Sequence, residues 1–133
     1  MKVGFVASAF DLLHAGHIVM LGECKDHCDQ LIVALHVDPS SERSAKNKPI
    51  ETVFERYLRL NSCKFIDRIV PYETEEDLLN MLKIFKPDVR FLGSDYLHKD
   101  FTGKELPIEI IYLDREHTFS SSSLRDRIMA STK

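Results

Sequence analysis

Short apolar runs rich in β-branched residues alternate along this chain with longer stretches whose apolar positions recur at three- and four-residue steps. That alternation of strand and helix patterns is expected of a parallel α/β sheet built from right-handed crossovers. Lys2 to Ser8 is a nearly unbroken apolar run, as in a central strand covered on both faces. Gly16 to Cys28 reads as a helix, with Ile18, Leu21, Cys24 and Cys28 recurring at helical steps. Gln30 to Val37 is a second strand, ending in the turn-forming Asp38-Pro39-Ser40-Ser41. The following stretch, Glu42 to Pro49, carries Arg43, Lys46 and Lys48 and is too charged to be core.

Thr52 is placed to cap a helix reaching about Cys63, with Val53, Tyr57 and Leu60 on one side and Glu55, Arg56 and Arg59 largely on another. Arg68 to Tyr72 is a third strand. Thr74 then caps a helix to about Phe85, whose first turn holds Glu75, Glu76 and Asp77 near the positive end of the helix dipole. Pro87-Asp88 breaks that helix, and Val89 to Leu92 forms a fourth strand leading into Gly93-Ser94-Asp95-Tyr96. Glu109 to Leu113 is a fifth strand, and a helix from Ser121 to about Met129 follows it. With no linker or internal repeat, residues 1–133 are expected to form one domain, a Rossmann-like doubly wound five-stranded parallel sheet with helices on both faces.

Composition narrows the function without naming it. At 44% hydrophobic and 29% charged residues the chain is ordinary for a globular protein, so disorder and fibrous repeats are excluded as classes. Eighteen Lys and Arg against 21 Asp and Glu leave a net charge of −3, which argues against a nucleic-acid partner. Any anionic ligand must therefore be met by a local cluster of positive groups. The three cysteines are an odd number and point to a reducing, cytoplasmic setting. Cys24 and Cys28 with His27 between them invite a zinc reading, but no second ligand pair follows at finger-like spacing. No apolar run approaches the roughly 18 residues of a membrane span.

In an open α/β sheet, ligands bind at the carboxyl ends of the strands where strand order reverses. The segment leaving the first strand reads Ala9-Phe10-Asp11-Leu12-Leu13-His14-Ala15-Gly16-His17, and its two histidines, three apart at a helix start, project to one side. The helix end adds positive potential and unpaired N–H groups, two imidazoles can donate to phosphate oxygens, and Gly16 leaves room for a phosphate against the backbone. The alternative is a pair of partly buried polar residues on an amphipathic helix.

The string Phe10 to His17 directly after an apolar strand resembles the signature of the cytidylyltransferase family within the nucleotidylyltransferase superfamily, in wording closest to glycerol-3-phosphate cytidylyltransferases. The resemblance covers essentially the whole chain. It implies transfer of CMP from CTP to a small phosphorylated alcohol of the glycerol 3-phosphate kind, giving a CDP-alcohol and pyrophosphate, with Mg2+ carried by the nucleotide and a homodimer as the common assembly. By the same resemblance His14, His17, Lys46 and Arg115 are catalytic. Ser8, Ala9, Phe10, Gly16, Gly93, Asp95, Phe119, Ser120 and Ser121 would line the nucleotide together with both histidines and Arg115, and Asp11, Asp38, Lys46, Lys48 and Arg56 would face the second substrate. The chain departs from the family in having Ser8-Ala9 for Gly-Thr, and Thr118 followed by Phe119 where a glycine is usual. The Ser-Ser-Ser-Leu ending also occurs in phosphopantetheine adenylyltransferases. Two alternatives therefore stand beside CTP transfer: an adenylyltransferase using ATP, and a nucleotide-binding module without turnover.

Overall fold

The strands β1 (Val3–Ser8), β2 (Gln30–His36), β3 (Arg68–Tyr72), β4 (Val89–Gly93) and β5 (Glu109–Leu113) form one sheet in the order β3-β2-β1-β4-β5, with every pair parallel. The computed structural model describes residues 1–114 and 121–131, with backbone alone for 121–123. Its helices are α1 (Ala15–Asp26), α2 (Val53–Asn61), α3 (Glu75–Phe85) and α4 (Ser121–Ser131). The expected Rossmann-like fold is present.

Alternate side chains of the apolar strands enter opposite cores, which is why those strands tolerate no polar face. Leu31, Val33 and Leu35 of β2 pack with Val6 and Phe91 against Leu21 and Cys24 of α1 and Leu60 of α2. Ile32 and Ala34 of the same strand point the other way, joining Phe5, Tyr72 and, from α3, Leu78 and Leu82. At Gly4 a Cβ would fall 2.8 Å from both Cys28 Sγ and Phe91 Cε2, so only glycine lets the end of α1 lie this close to β1. Cys28 Sγ donates to the Cys24 carbonyl at 3.4 Å, and burial pushes the Cys24 thiol far above its usual range. These cysteines pack, and the described residues contain no group of three His, Cys, Asp or Glu side chains arranged to hold a metal.

Capping explains the helix boundaries. Thr52 with Glu55 and Thr74 with Asp77 close reciprocal boxes over α2 and α3, and Lys86 ends α3 in the left-handed region at φ 47°. On α2 the expected inner face differs: Arg56 is buried with Leu60, whereas Tyr57 is 39% exposed. The chain runs from β1 outward to β3, then returns to lay β4 beside β1. Strand order therefore reverses between β1 and β4, which end at Ser8 and Gly93, each two residues beyond the Val6–Phe91 pair. That crevice is the site a ligand of this architecture would occupy.

Candidate active site

The two motif histidines build the start of α1. His14 is its N-cap, and its Nδ1 accepts the Gly16 N–H at 3.0 Å. His17, three residues on, returns the bond, its Nδ1 accepting the His14 N–H at 3.2 Å. The pair is a capping box made of imidazoles, with ring centroids 3.9 Å apart and planes 28° from parallel. With Nδ1 accepting in both rings, the hydrogen-bond pattern assigns the neutral-ring proton to Nε2, so each histidine carries an N–H donor on the edge away from its own cap. Phe10 lies against His17 at 5.5 Å between centroids and is itself in the core.

The loop leading to these rings is held in an uncommon backbone conformation. Phe10 and Leu12 both have φ of 51°, a region costing L-residues roughly 1 kcal/mol or more each unless the surroundings impose it. Here the surroundings do. Asp11 Oδ2 accepts the Ile50 N–H at 2.8 Å and Arg125 Nη2 at 2.7 Å, while Oδ1 accepts the Glu51 N–H at 3.0 Å. Glu51 Oε1 in turn accepts the Leu12 N–H at 2.9 Å, and its Oε2 pairs with Arg59 at 2.7 Å. Behind them Arg56, 2% exposed, spreads its guanidinium over the carbonyls of Ala9 at 3.0 Å, His36 at 2.7 Å, Val37 at 2.6 Å and Glu51 at 3.2 Å. The ends of β1 and β2, the loop before α2, and α4 thus meet on one buried charge network.

Residues 5–127 match the model of the cytidylyltransferase-like family. The chain belongs to that family. It is 35% identical over 131 residues, 98% of its length, to the Bifunctional protein HldE of Helicobacter hepaticus, and 32% identical over 128 residues to that of Campylobacter jejuni serotype O:2. It spans 27% and 28% of those relatives, about a quarter of their length. Among solved structures, a lipopolysaccharide core biosynthesis protein from Thermoplasma volcanium superposes with a TM-score of 0.63 at 25% identity, over 98% of this chain and 88% of that one. A pantoate-β-alanine ligase from Francisella tularensis, complexed with β,γ ATP and β-alanine, shares the fold with a TM-score of 0.64 at 19% identity, over 93% of this chain and 65% of that one. The domain is of the nucleotidyltransferase type.

Against this cytidylyltransferase-like frame, the expected site residues separate into those at the crevice and those behind it. Ser8 ends β1 and the loop Ala9–Phe10, His14, Gly16 and His17 follow it, while Gly93 ends β4 and Asp95 follows it across the reversal point. An Asp95 oxygen lies 2.6 Å from where a Gly93 Cβ would sit, so the glycine lets the carboxylate fold back over the strand end. Lys46 and Lys48 are exposed on the loop after β2, and Lys48 reaches Asp38 electrostatically. Ser121 is the first residue of α4, and the calls on Arg115, Phe119 and Ser120 lie outside the described residues.

Three of the residues expected to face the second substrate are engaged by the protein itself. Arg56 gives four of its five N–H groups to main-chain carbonyls at 2% exposure, which makes it a scaffold group. Asp11 is consumed by two N–H groups and Arg125. Asp38 caps the short 3-10 turn Pro39–Ser41, accepting the Ser40 hydroxyl at 2.6 Å and the Ser40 N–H at 3.0 Å. Glu51 and Arg125 were not anticipated as site residues; Arg125 stands four residues after Ser121, on the same side of α4.

Burial alone would raise the Asp11 carboxyl, but the Ile50 and Glu51 N–H groups and Arg125 outweigh it and hold it below its ordinary 3.8. A carboxylate depressed in the folded state adds stability above its unfolded value and loses it as pH falls through the folded one. Arg125→Ala is expected to cost about 1–3 kcal/mol, the usual range for a hydrogen bond to a charged group, and to flatten the stability profile below pH ~4. Urea midpoints measured from pH 3 to 7 check both, and an unchanged acid limb would show that Arg125 does not hold Asp11.

Proposed function

We propose that this domain transfers a nucleotidyl group from a nucleoside triphosphate, ATP in the first instance, to the phosphate of a small acceptor, releasing pyrophosphate. The observation that carries the reading is the pair of imidazoles capping α1 beside the β1/β4 reversal point, each with an Nε2–H donor. An acceptor phosphate oxygen attacks the α phosphorus, the bond from that phosphorus to the bridging oxygen breaks, and its electron pair leaves with pyrophosphate. The nucleophile is already ionised near neutral pH, so no general base is needed. Catalysis then consists of alignment and of stabilising charge on the α phosphate and leaving group, which fixed N–H donors at a helix N-terminus can do.

Lys46 and Lys48 supply mobile positive charge for phosphates, offsetting the net −3 of the chain where it matters. Magnesium carried on the triphosphate would neutralise phosphate charge at this site. The Ser-Ser-Ser-Leu stretch from Ser121 to Leu124 supports ATP, and Ser8-Ala9 in place of Gly-Thr departs from the wording of the CTP enzymes. CTP is the second reading, favoured by the wording of Phe10 to His17. ATP and CTP, each crossed with glycerol 3-phosphate and sugar phosphates and followed by pyrophosphate release, separate the two. Nucleotide binding without release for any pair would leave a binding module in place of the enzyme. Lys46→Ala is expected to raise the KM of a phosphate-bearing substrate about tenfold, the equivalent of one charge-assisted hydrogen bond, with kcat little changed. A fall in kcat at unchanged KM would place Lys46 at the reacting atoms instead.

A further inference from the structure

The loop that carries Lys46 and Lys48 has no apolar anchor of its own, since every residue from Ser41 to Lys48 is exposed. Its shape has to come from polar ties, and these fall at three places. At its root the short turn Pro39–Ser41 hangs on Asp38. At its far end the Ile50 and Glu51 N–H groups are held by Asp11 of the histidine motif. Between the two, Glu42 and Arg43 grip the first residue of α3: Glu42 Oε1 accepts the Glu75 N–H at 2.9 Å, and the Arg43 guanidinium pairs with the Glu75 carboxylate.

Arg43 is tied in three further ways. Its N–H donates to the Pro39 carbonyl at 3.1 Å, its carbonyl accepts the Lys46 N–H at 2.9 Å, and its guanidinium donates to the Tyr96 hydroxyl in the turn Ser94–Tyr96 after β4. One side chain therefore joins the lysine loop both to α3 and to the stretch that carries Asp95 at the reversal point. The bond from Lys46 back to Arg43 passes that placement on, so the backbone from which Lys46 extends, with Lys48 two residues beyond, is fixed wherever Arg43 is fixed. Arg43 and Glu75 are 41% and 26% exposed, so their pair adds little to the stability of the whole domain. Its effect is local. Ordering a backbone segment costs conformational entropy, and a loop ordered before the substrate arrives binds it more tightly than one ordered afterwards.

We propose that Arg43 is a positioning residue for nucleotidyl transfer: held by Glu75 and Tyr96, it orders the loop so that Lys46 and Lys48 meet a substrate phosphate from a preset backbone. The inference rests on the nucleotidyl-transfer reading above. Arg43→Ala removes the tie from the loop side; Glu75→Ala removes it from α3 and keeps the N–H that Glu42 accepts, and Glu75→Gln keeps an acceptor for the guanidinium. In pyrophosphate release, Arg43→Ala and Glu75→Ala should raise the KM of a phosphate-bearing substrate about fivefold with kcat little changed, and Glu75→Gln should recover part of that loss. In a Lys46→Ala/Lys48→Ala background Arg43→Ala should add nothing, because the lysines it places are gone. Effects that add in full, or a lowered melt with KM unchanged, would make Arg43 a structural tie only and overturn the proposal. Trypsin reads the loop without catalysis: cleavage after Lys46 should run about fivefold faster in Glu75→Ala than in the wild type, since scission follows the population of the opened segment. An unchanged cleavage rate would overturn the inference and leave the transfer reading intact. Wild-type protein that releases no pyrophosphate with any nucleotide and acceptor would overturn the transfer reading, and this inference with it, whatever trypsin shows.

Discussion

His14→Ser is expected to lower turnover by about 10²- to 10³-fold while leaving the fold in place, the loss typical of one preorganised donor aimed at developing charge. Serine is among the best N-caps, so it can still accept the Gly16 N–H that His14 Nδ1 takes at 3.0 Å. What it cannot supply is the Nε2–H. His17→Gln makes the same separation at the other ring, because glutamine at the third helical position serves a capping box as His17 does now. His14→Ala removes cap and donor together, and should add a stability loss of about 0.5–2 kcal/mol to the kinetic one. Pyrophosphate release and a thermal melt on each variant keep the two effects apart. If His14→Ser and His17→Gln both turn over at the wild-type rate, the imidazoles are caps alone and the assignment of the site falls.

The fold was legible where local rules decide it. Thr74 with its acidic first turn and the apolar spacing through Phe85 define α3 to the residue, and Arg68–Tyr72 and Glu109–Leu113 stand as expected. The helix after the motif begins at Ala15, one residue before the expected Gly16, because a histidine in place of the usual Ser, Thr or Asp caps it. Pairing order is a different matter, since the placement of β4 against β1 depends on contacts about 85 residues apart, such as Val6 with Phe91. The least legible part was the division of charged residues between ligand and scaffold. A cation beside a phosphate site and a cation beside backbone carbonyls look alike in sequence; only burial separates them. One signal was present: Val53, Arg56 and Leu60 recur at steps of three and four, which places Arg56 on the apolar stripe of α2. The links from Asp11 to Arg125 and Glu51 span 114 and 40 residues and left no local trace.

That division is tested most sharply at Arg56, where substitution to methionine should cost about 3–5 kcal/mol, the range seen when one side of a buried charge network is removed. The shape of the side chain is roughly conserved, so the loss is electrostatic. The carbonyls of Ala9, His36, Val37 and Glu51 lose their donor, and burial leaves water little access to replace it. Asp11, Glu51 and Asp38 lose a cation whose charge offsets theirs. Against a total stability of roughly 5–15 kcal/mol for a domain of this size, the variant should melt many degrees lower. Arg56→Lys should recover little, because one ammonium on a flexible stem cannot span four carbonyls fixed for a planar fork. A substrate ligand would behave in the opposite way: Arg56→Met would melt like the wild type and raise the acceptor KM. Urea unfolding beside acceptor titration distinguishes them, and because the same guanidinium holds the ends of β1 and β2, the scaffold role also requires that any Arg56 variant that still folds loses turnover without a selective change in acceptor affinity.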